Sequence, residues 1–130
     1  MSENLKGKKL IILEDEEINI FLIKALLEKT QSDAVYCRTV DEFLDVYKGD
    51  KDIVLLDIRV PGDLDGIDLL KEIKQKDPTQ QVIMQTAHSE KRKECEDAGA
   101  DAFIEKPHIG KILIPTIDAL IEKLKNKNES

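Results

Sequence analysis

A chain of 130 residues suits one compact domain with a buried core. Charged residues make up 36% and hydrophobic ones 41% of it, and the formal net charge is −7. That balance excludes a basic stripe for nucleic acid, and no apolar run approaches the roughly 20 residues that a membrane span needs.

Lys8 to Leu13, with Leu10-Ile11-Ile12-Leu13 as its core, has strand length and ends in Glu14, Asp15, Glu16 and Glu17. Continuous apolar runs of this kind mark strands buried on both faces of a parallel sheet. A helix is expected from about Glu17 to Lys29. At about 100° per residue, its sheet-facing side would be Ile18, Leu22, Ala25 and Leu26, with Phe21 at the edge. Ile20, Ile23 and Leu27 form a second apolar stripe on the other side, and exposed contiguous apolar area marks a contact, so this stripe reads as a partner surface.

Ala34 to Cys37 is a short second strand. Thr39 to Glu42 is a capping box that opens a helix carrying Val40, Phe43, Leu44 and Tyr47, closed by Gly49. Ile53-Val54-Leu55-Leu56 is the third strand, which ends abruptly in Asp57; Pro61-Gly62 then stop any regular element. Asp65-Gly66 open a third helix with Ile67, Leu69, Leu70 and Ile73 inward, and Asp77-Pro78 end it. Val82-Ile83-Met84 is the fourth strand, finishing at Gln85-Thr86-Ala87, and Ser89 is a candidate cap for a fourth helix, Glu90 to Ala98. Ala102-Phe103-Ile104 is the fifth strand and runs into Glu105-Lys106-Pro107. The last helix must cover the sheet with Ile117, Leu120, Ile121 and Leu124, with Pro115 near its start, where proline is tolerated in the first turn. Residues 125–130 read as a polar tail.

Strand and helix alternate five times with short connections. The expected fold is α/β: a flavodoxin-like (βα)5 doubly wound parallel five-stranded sheet with strand order 2-1-3-4-5. The chain reads as a single domain over residues 1–130, with its core at about 8–124. The basic start has no apolar segment behind it, so no signal peptide is visible, and Cys37 and Cys95 fit neither a disulfide framework nor a zinc site. The expected location is cytoplasmic.

In such a sheet, ligands bind beyond the carboxyl ends of the strands, at the switch point between strands 1 and 3. Glu14, Asp15, Asp57, Thr86 and Lys106 all fall at those ends. Clustered carboxylates repel one another unless a cation joins them, and oxygen ligands select a hard ion such as Mg²⁺. A lysine and a hydroxyl opposite a metal-bound carboxylate are what a phosphoryl group needs, and Asp57 is then a candidate nucleophile. Acids at the start of a helix also suit its dipole, which is the plainer reading of the Glu14–Glu17 run.

Glu14-Asp15, Asp57, Pro61, Asp65-Gly66, Thr86-Ala87 and Lys106-Pro107, in this order from about Lys8 to Leu124, resemble the receiver domain of two-component response regulators, here of the stand-alone type. The resemblance implies that Asp57 accepts a phosphoryl group from a histidine kinase or histidine phosphotransfer protein and that the change of conformation alters binding to a downstream protein whose identity is open. It implies that Asp15, Asp57 and the backbone carbonyl of Arg59 bind Mg²⁺, with Glu14 acting through a water. It implies a switch pair, Thr86 and Phe103, a phosphoryl-pairing Lys106, and a cis bond between Lys106 and Pro107. Arg59 and His88, two residues beyond Asp57 and Thr86, are expected to border the phosphoryl and govern its lifetime.

Three features depart from the family pattern: an extra residue in Pro61-Gly62-Asp63-Leu64-Asp65-Gly66, a segment from Thr86 to Gly99 two residues short, and Pro115. The last two fall on the face of the fourth helix, fifth strand and fifth helix that commonly reads out phosphorylation. Two other functions compete, a pseudo-receiver that binds without being phosphorylated and an aspartyl-phosphate phosphohydrolase. The intact Glu14, Asp15, Asp57, Thr86 and Lys106 argue against the first. The second needs an acid where Arg59 stands, so beyond self-catalysed phosphotransfer and dephosphorylation no enzyme activity is expected.

Overall fold

The computed structural model describes residues 3–61 and 63–129, all but the side chains of 3 and 127–129; Gly62 of the lengthened loop lies outside the described residues, as do Met1, Ser2 and Ser130. Its strands are β1 (Lys9–Leu13), β2 (Asp33–Cys37), β3 (Ile53–Asp57), β4 (Gln81–Thr86) and β5 (Ala102–Glu105). All pair in parallel, in the order β2-β1-β3-β4-β5. The helices are α1 (Glu17–Glu28), α2 (Val40–Val46), α3 (Gly66–Lys76), α4 (Arg92–Asp97) and α5 (Ile109–Glu129).

Strand side chains alternate between faces, and the two cores follow that period. Ile11, Leu13, Val54, Leu56, Val82, Met84 and Phe103 pack with Phe43, Ile67, Leu70, Ile73 and Cys95 from α2, α3 and α4. Leu10, Ile12, Ile53, Leu55, Ile83 and Ile104 pack with Ile23, Leu27, Leu113, Ile117 and Ile121 from α1 and α5. β3 is buried along its whole length, so the strand that carries Asp57 is the most firmly held. Each fully buried Val, Leu or Ile contributes about 1.5–3 kcal/mol. Leu5, outside the expected core, sits fully buried in the α1/α5 layer from a 3-10 turn, Glu3–Leu5.

The structure corrects the reading of α1. Ile20, Ile23 and Leu27 are the buried face, at 3%, 0% and 2% exposure, and so are not a partner surface. Ile18, expected inward, and Phe21, expected at the edge of that face, are 76% and 75% exposed, and Ala25 beside them is exposed as well. Both stripes are apolar, so periodicity alone does not orient the helix. Packing does: Ile23 and Leu27 share a core layer with Leu113, Ile117 and Ile121 of α5, while Lys24 and Glu28 border that face and stay exposed, the Lys24 ammonium over the Tyr36 ring of β2 at 5.2 Å from its centroid.

The second half of the chain departs in four places. Ser89 caps no long helix: a 3-10 turn, Ser89–Lys91, precedes a short α4 in which Cys95 is the one buried anchor. The Lys106–Pro107 peptide is trans, as is every described peptide bond. A 3-10 turn over Lys106–His108 leads into α5 at once, so Pro115 lies inside that helix rather than in its first turn. Pro115 and Lys111 are both exposed, so the carbonyl deprived of its N–H partner lies on the water side of α5. The expected polar tail is helical through Glu129.

The α3 N-terminus fixes the loop after Asp57. Asp65 and Asp68 form a capping box, and the Gly66 N–H donates to the Ile58 carbonyl at 2.7 Å. A side chain at Gly66 would collide with the Asp57 carbonyl group, its Cβ lying 2.7 Å from the Asp57 carbonyl carbon and 2.8 Å from Ile58 Cα. Gly66→Ala should therefore push the strand end that carries Asp57 and lower the unfolding free energy by about 1–3 kcal/mol in urea denaturation. Wild-type stability in that variant would show that the approach is not tight.

Candidate functional site

β1 and β3 are neighbours, with Leu13 opposite Leu56, so the residues that follow them emerge side by side. One carboxylate oxygen from each of Glu14, Asp15, Glu16 and Asp57 lies within 4.8 Å of the others. Glu14 is fully buried, Asp57 is 3% exposed, Asp15 is half-buried and Glu16 is exposed. The site is thus defined by concentrated charge rather than by a deep cavity. A cleft of about 370 Å³ lined by Phe43, Tyr47, Leu69 and Ile73 lies between α2 and α3, away from the strand ends.

Among the described residues one cation, Lys106, sits between these acids. Lys106 Nζ donates to Asp57 Oδ2 at 2.6 Å and to Glu16 Oε1 at 3.1 Å, and lies 3.1 Å from Glu14 Oε1. Glu14 is held further by the Glu16 backbone N–H, 3.0 Å from Oε2, and by the Gln85 amide, whose Nε2 donates to Oε1 at 3.0 Å. Burial pushes the Asp57 carboxyl up to about 6; the Lys106 hydrogen bond pulls it down, the Glu14 charge raises it further, and the Lys106 charge and the Arg59 backbone N–H pull it down. Burial alone would lower Lys106, but its hydrogen bond to Asp57 and the charges of Asp57 and Glu14 hold it well above the ordinary lysine value. The two shifts agree physically, because several carboxylates share one ammonium.

Thr86 ends β4, fully buried, and its Oγ1 accepts from the His88 backbone N–H at 3.1 Å. Phe103, opposite Met84 on β5, is turned into the core at 9% exposure, with the Arg92 guanidinium 5.3 Å from its ring centroid. Arg59 is exposed, and no ion pair ties its guanidinium among the described residues, Asp63 included. His88 Nδ1 lies 3.3 Å from Glu90 Oε1, turned to that carboxylate. Two members of the cluster were not named from the sequence. Glu16 was visible in the acidic run; Gln85 was signalled only as a polar residue closing an otherwise apolar strand.

The family model for the response regulator receiver domain matches residues 10–118. The chain belongs to the response regulator receiver family. It is 31% identical over 124 residues to the aerobic respiration control sensor protein ArcB of Escherichia coli, a match that covers 92% of this chain and 15% of ArcB. The chain therefore spans about 15% of the length of that relative. It is 35% identical over 104 residues to the chemotaxis protein CheY of Halobacterium salinarum, covering 78% of this chain and 86% of that one. A CheY-like receiver domain structure from Methanospirillum hungatei, 26% identical, superposes with a TM-score of 0.83 over 94% of this chain and 99% of that one. Membership in the receiver family implies phosphorylation-dependent signalling. No helix among the described residues is long and apolar enough to cross a membrane.

The raised Asp57 value has a consequence for stability. A carboxyl that holds its proton more tightly when folded makes ionisation costly to the fold. The cost is absent below the ordinary value of 3.8, grows as pH rises toward about 6, and is complete above it. Asp57→Asn removes the charge and leaves Lys106 paired with Glu14 and Glu16. Without divalent cations, the variant should be more stable than wild type by about 2 kcal/mol at pH 7.5, with the difference vanishing near pH 4. A constant difference across that range would contradict the assignment.

Proposed function

We propose that this receiver domain takes a phosphoryl group onto Asp57 in a Mg²⁺-dependent step and signals by the change in shape that follows. The observation that carries the reading is a buried carboxylate at a strand end, sharing a surplus of acids with one ammonium. The donor set is all oxygen and rich in carboxylate, which fits a hard divalent cation. Asp15, Asp57 and the Arg59 carbonyl would hold Mg²⁺, with Glu14 behind a water, and the ion would neutralise phosphoryl oxygens and the attacking carboxylate. In the transfer, the P–N bond of a phosphohistidine breaks and a P–O bond to Asp57 forms. Lys106 moves its charge from the carboxylate to the new phosphoryl oxygens, and the Thr86 hydroxyl donates to another. Thr86 turning inward and Phe103 moving with it would carry the change to α4, through the contact of Arg92 with the Phe103 ring. Arg59, where a hydrolase would carry its acid, cannot accept a proton from water, so the domain acts as a phosphoacceptor and not as a turnover enzyme.

Relatives that are sensor proteins favour a histidine kinase or a histidine phosphotransfer protein as donor. Ile18 and Phe21 lie at the start of α1, a few residues beyond the acid cluster, and their exposed apolar surface is where such a helical donor would pack.

Incubation with Mg²⁺ and acetyl phosphate, followed by peptide mapping, should place the label on Asp57 alone. Label that persists in Asp57→Asn or in excess chelator would refute the assignment. Phe21→Lys should leave labelling by acetyl phosphate unchanged while slowing transfer from a phosphohistidine protein by about ten-fold, the equivalent of about 1.4 kcal/mol of lost contact. Equal transfer rates would remove α1 as the docking face.

A further inference from the structure

Gln85 is the one side chain at the site that neither the proposed chemistry nor the packing explains. It is fully buried on β4, opposite Asp57 on β3 and Ile104 on β5. Its neighbours along the strand, Val82, Ile83 and Met84, are fully buried apolar residues. An apolar residue of similar volume would satisfy the core at this position. Instead the amide is half used: Nε2 donates to Glu14 Oε1 at 3.0 Å, while Oε1 is buried with no hydrogen-bond partner. A buried polar group left half satisfied is worse for stability than an apolar one. Its use must lie in what its N–H₂ holds.

That group is the Glu14 carboxylate, which has three independent supports. Gln85 Nε2 and Lys106 Nζ share Oε1, and the Glu16 N–H holds Oε2. Two of the three are not fixed. Glu16 follows in the same loop, and Lys106 must leave the carboxylates when it turns to a phosphoryl group. Gln85 alone belongs to the interior of the sheet and remains when the lysine moves. We infer that Gln85 is a positioning residue, whose amide keeps Glu14 oriented toward the cation site while Lys106 changes partners. It does for Glu14 what an outer hydrogen-bond partner does for a metal-ligating histidine: it fixes one rotamer and one oxygen, so that the acid is already placed when the ion arrives.

The inference rests on the Mg²⁺-dependent reading above, and its test separates the two. Mg²⁺ affinity is measured by calorimetry on the unphosphorylated full chain, for wild type, Gln85→Met, Glu14→Gln and the double variant, with thermal unfolding of each in parallel. Methionine fills the same space without an amide. Gln85→Met should still fold cooperatively and bind Mg²⁺ about ten-fold more weakly. In the Glu14→Gln background the same change should move affinity less than about two-fold, because the interaction it removes is already gone. If Gln85→Met does not fold, Gln85→Asn, whose amide is too short to reach Glu14, should show the same loss in affinity and the same dependence on Glu14. Wild-type affinity in the amide-free variant, or an equal loss in both backgrounds, would overturn the positioning role and leave the proposed function standing. A wild-type chain that binds no Mg²⁺ would overturn both.

Discussion

The contact between Lys106 and Asp57 is the interaction on which the site depends. Burying a carboxylate at 3% exposure beside a fully buried Glu14 would be prohibitive without a cation, and among the described residues Lys106 supplies the one within reach. It is not enough for all of them. The ammonium sits between Asp57, Glu14 and Glu16, and Asp57 is still pushed up to about 6 by burial and by Glu14. On the proposed function, that shortfall of positive charge is what a divalent cation would make up, leaving the lysine to serve a phosphoryl group. The fold serves this constraint. The strand order makes β1 and β3 neighbours, and the absence of a side chain at Gly66 lets α3 press against the Asp57 carbonyl.

Much of this was legible in the amino-acid order. Ile53-Val54-Leu55-Leu56-Asp57 announces a strand buried on both faces with a charge at its end, and the structure buries all five. The five alternations of strand and helix imply a parallel sheet, and the common five-stranded order 2-1-3-4-5 is the one observed. Asp65 and Asp68 cap α3 where turn chemistry placed its start. These features are local or follow from short-range rules, which is why they can be read without coordinates.

What was misread depends on long-range packing. Two apolar stripes on α1 are equivalent to a periodicity argument, and only the positions of α5 and Tyr36 decide that Ile20, Ile23 and Leu27 go in and that Ile18 and Phe21 stay out. Leu5 looks like part of a polar leader until α5 is in place to cover it. Pro115 argues for a helix boundary by local rules, and α5 overrides them because Leu113, Ile117 and Ile121 on either side of it are buried against the sheet. Gln85 gains meaning only through its contact with Glu14, distant in sequence. In each case, the deciding partner comes from a remote part of the chain.

The central claim is that the surplus of carboxylates makes this strand-end site a cation site. The most direct measurement is the unfolding midpoint of the unphosphorylated protein at pH 7.5 as a function of Mg²⁺ concentration. The account predicts a midpoint that climbs with the logarithm of Mg²⁺ once the site begins to fill, reaching about 2.7 kcal/mol of added stability at a hundred times the dissociation constant. The slope should disappear when Asp15 and Asp57 are both replaced by asparagine. A wild-type midpoint indifferent to Mg²⁺, or an equal slope in the doubly substituted chain, would contradict it.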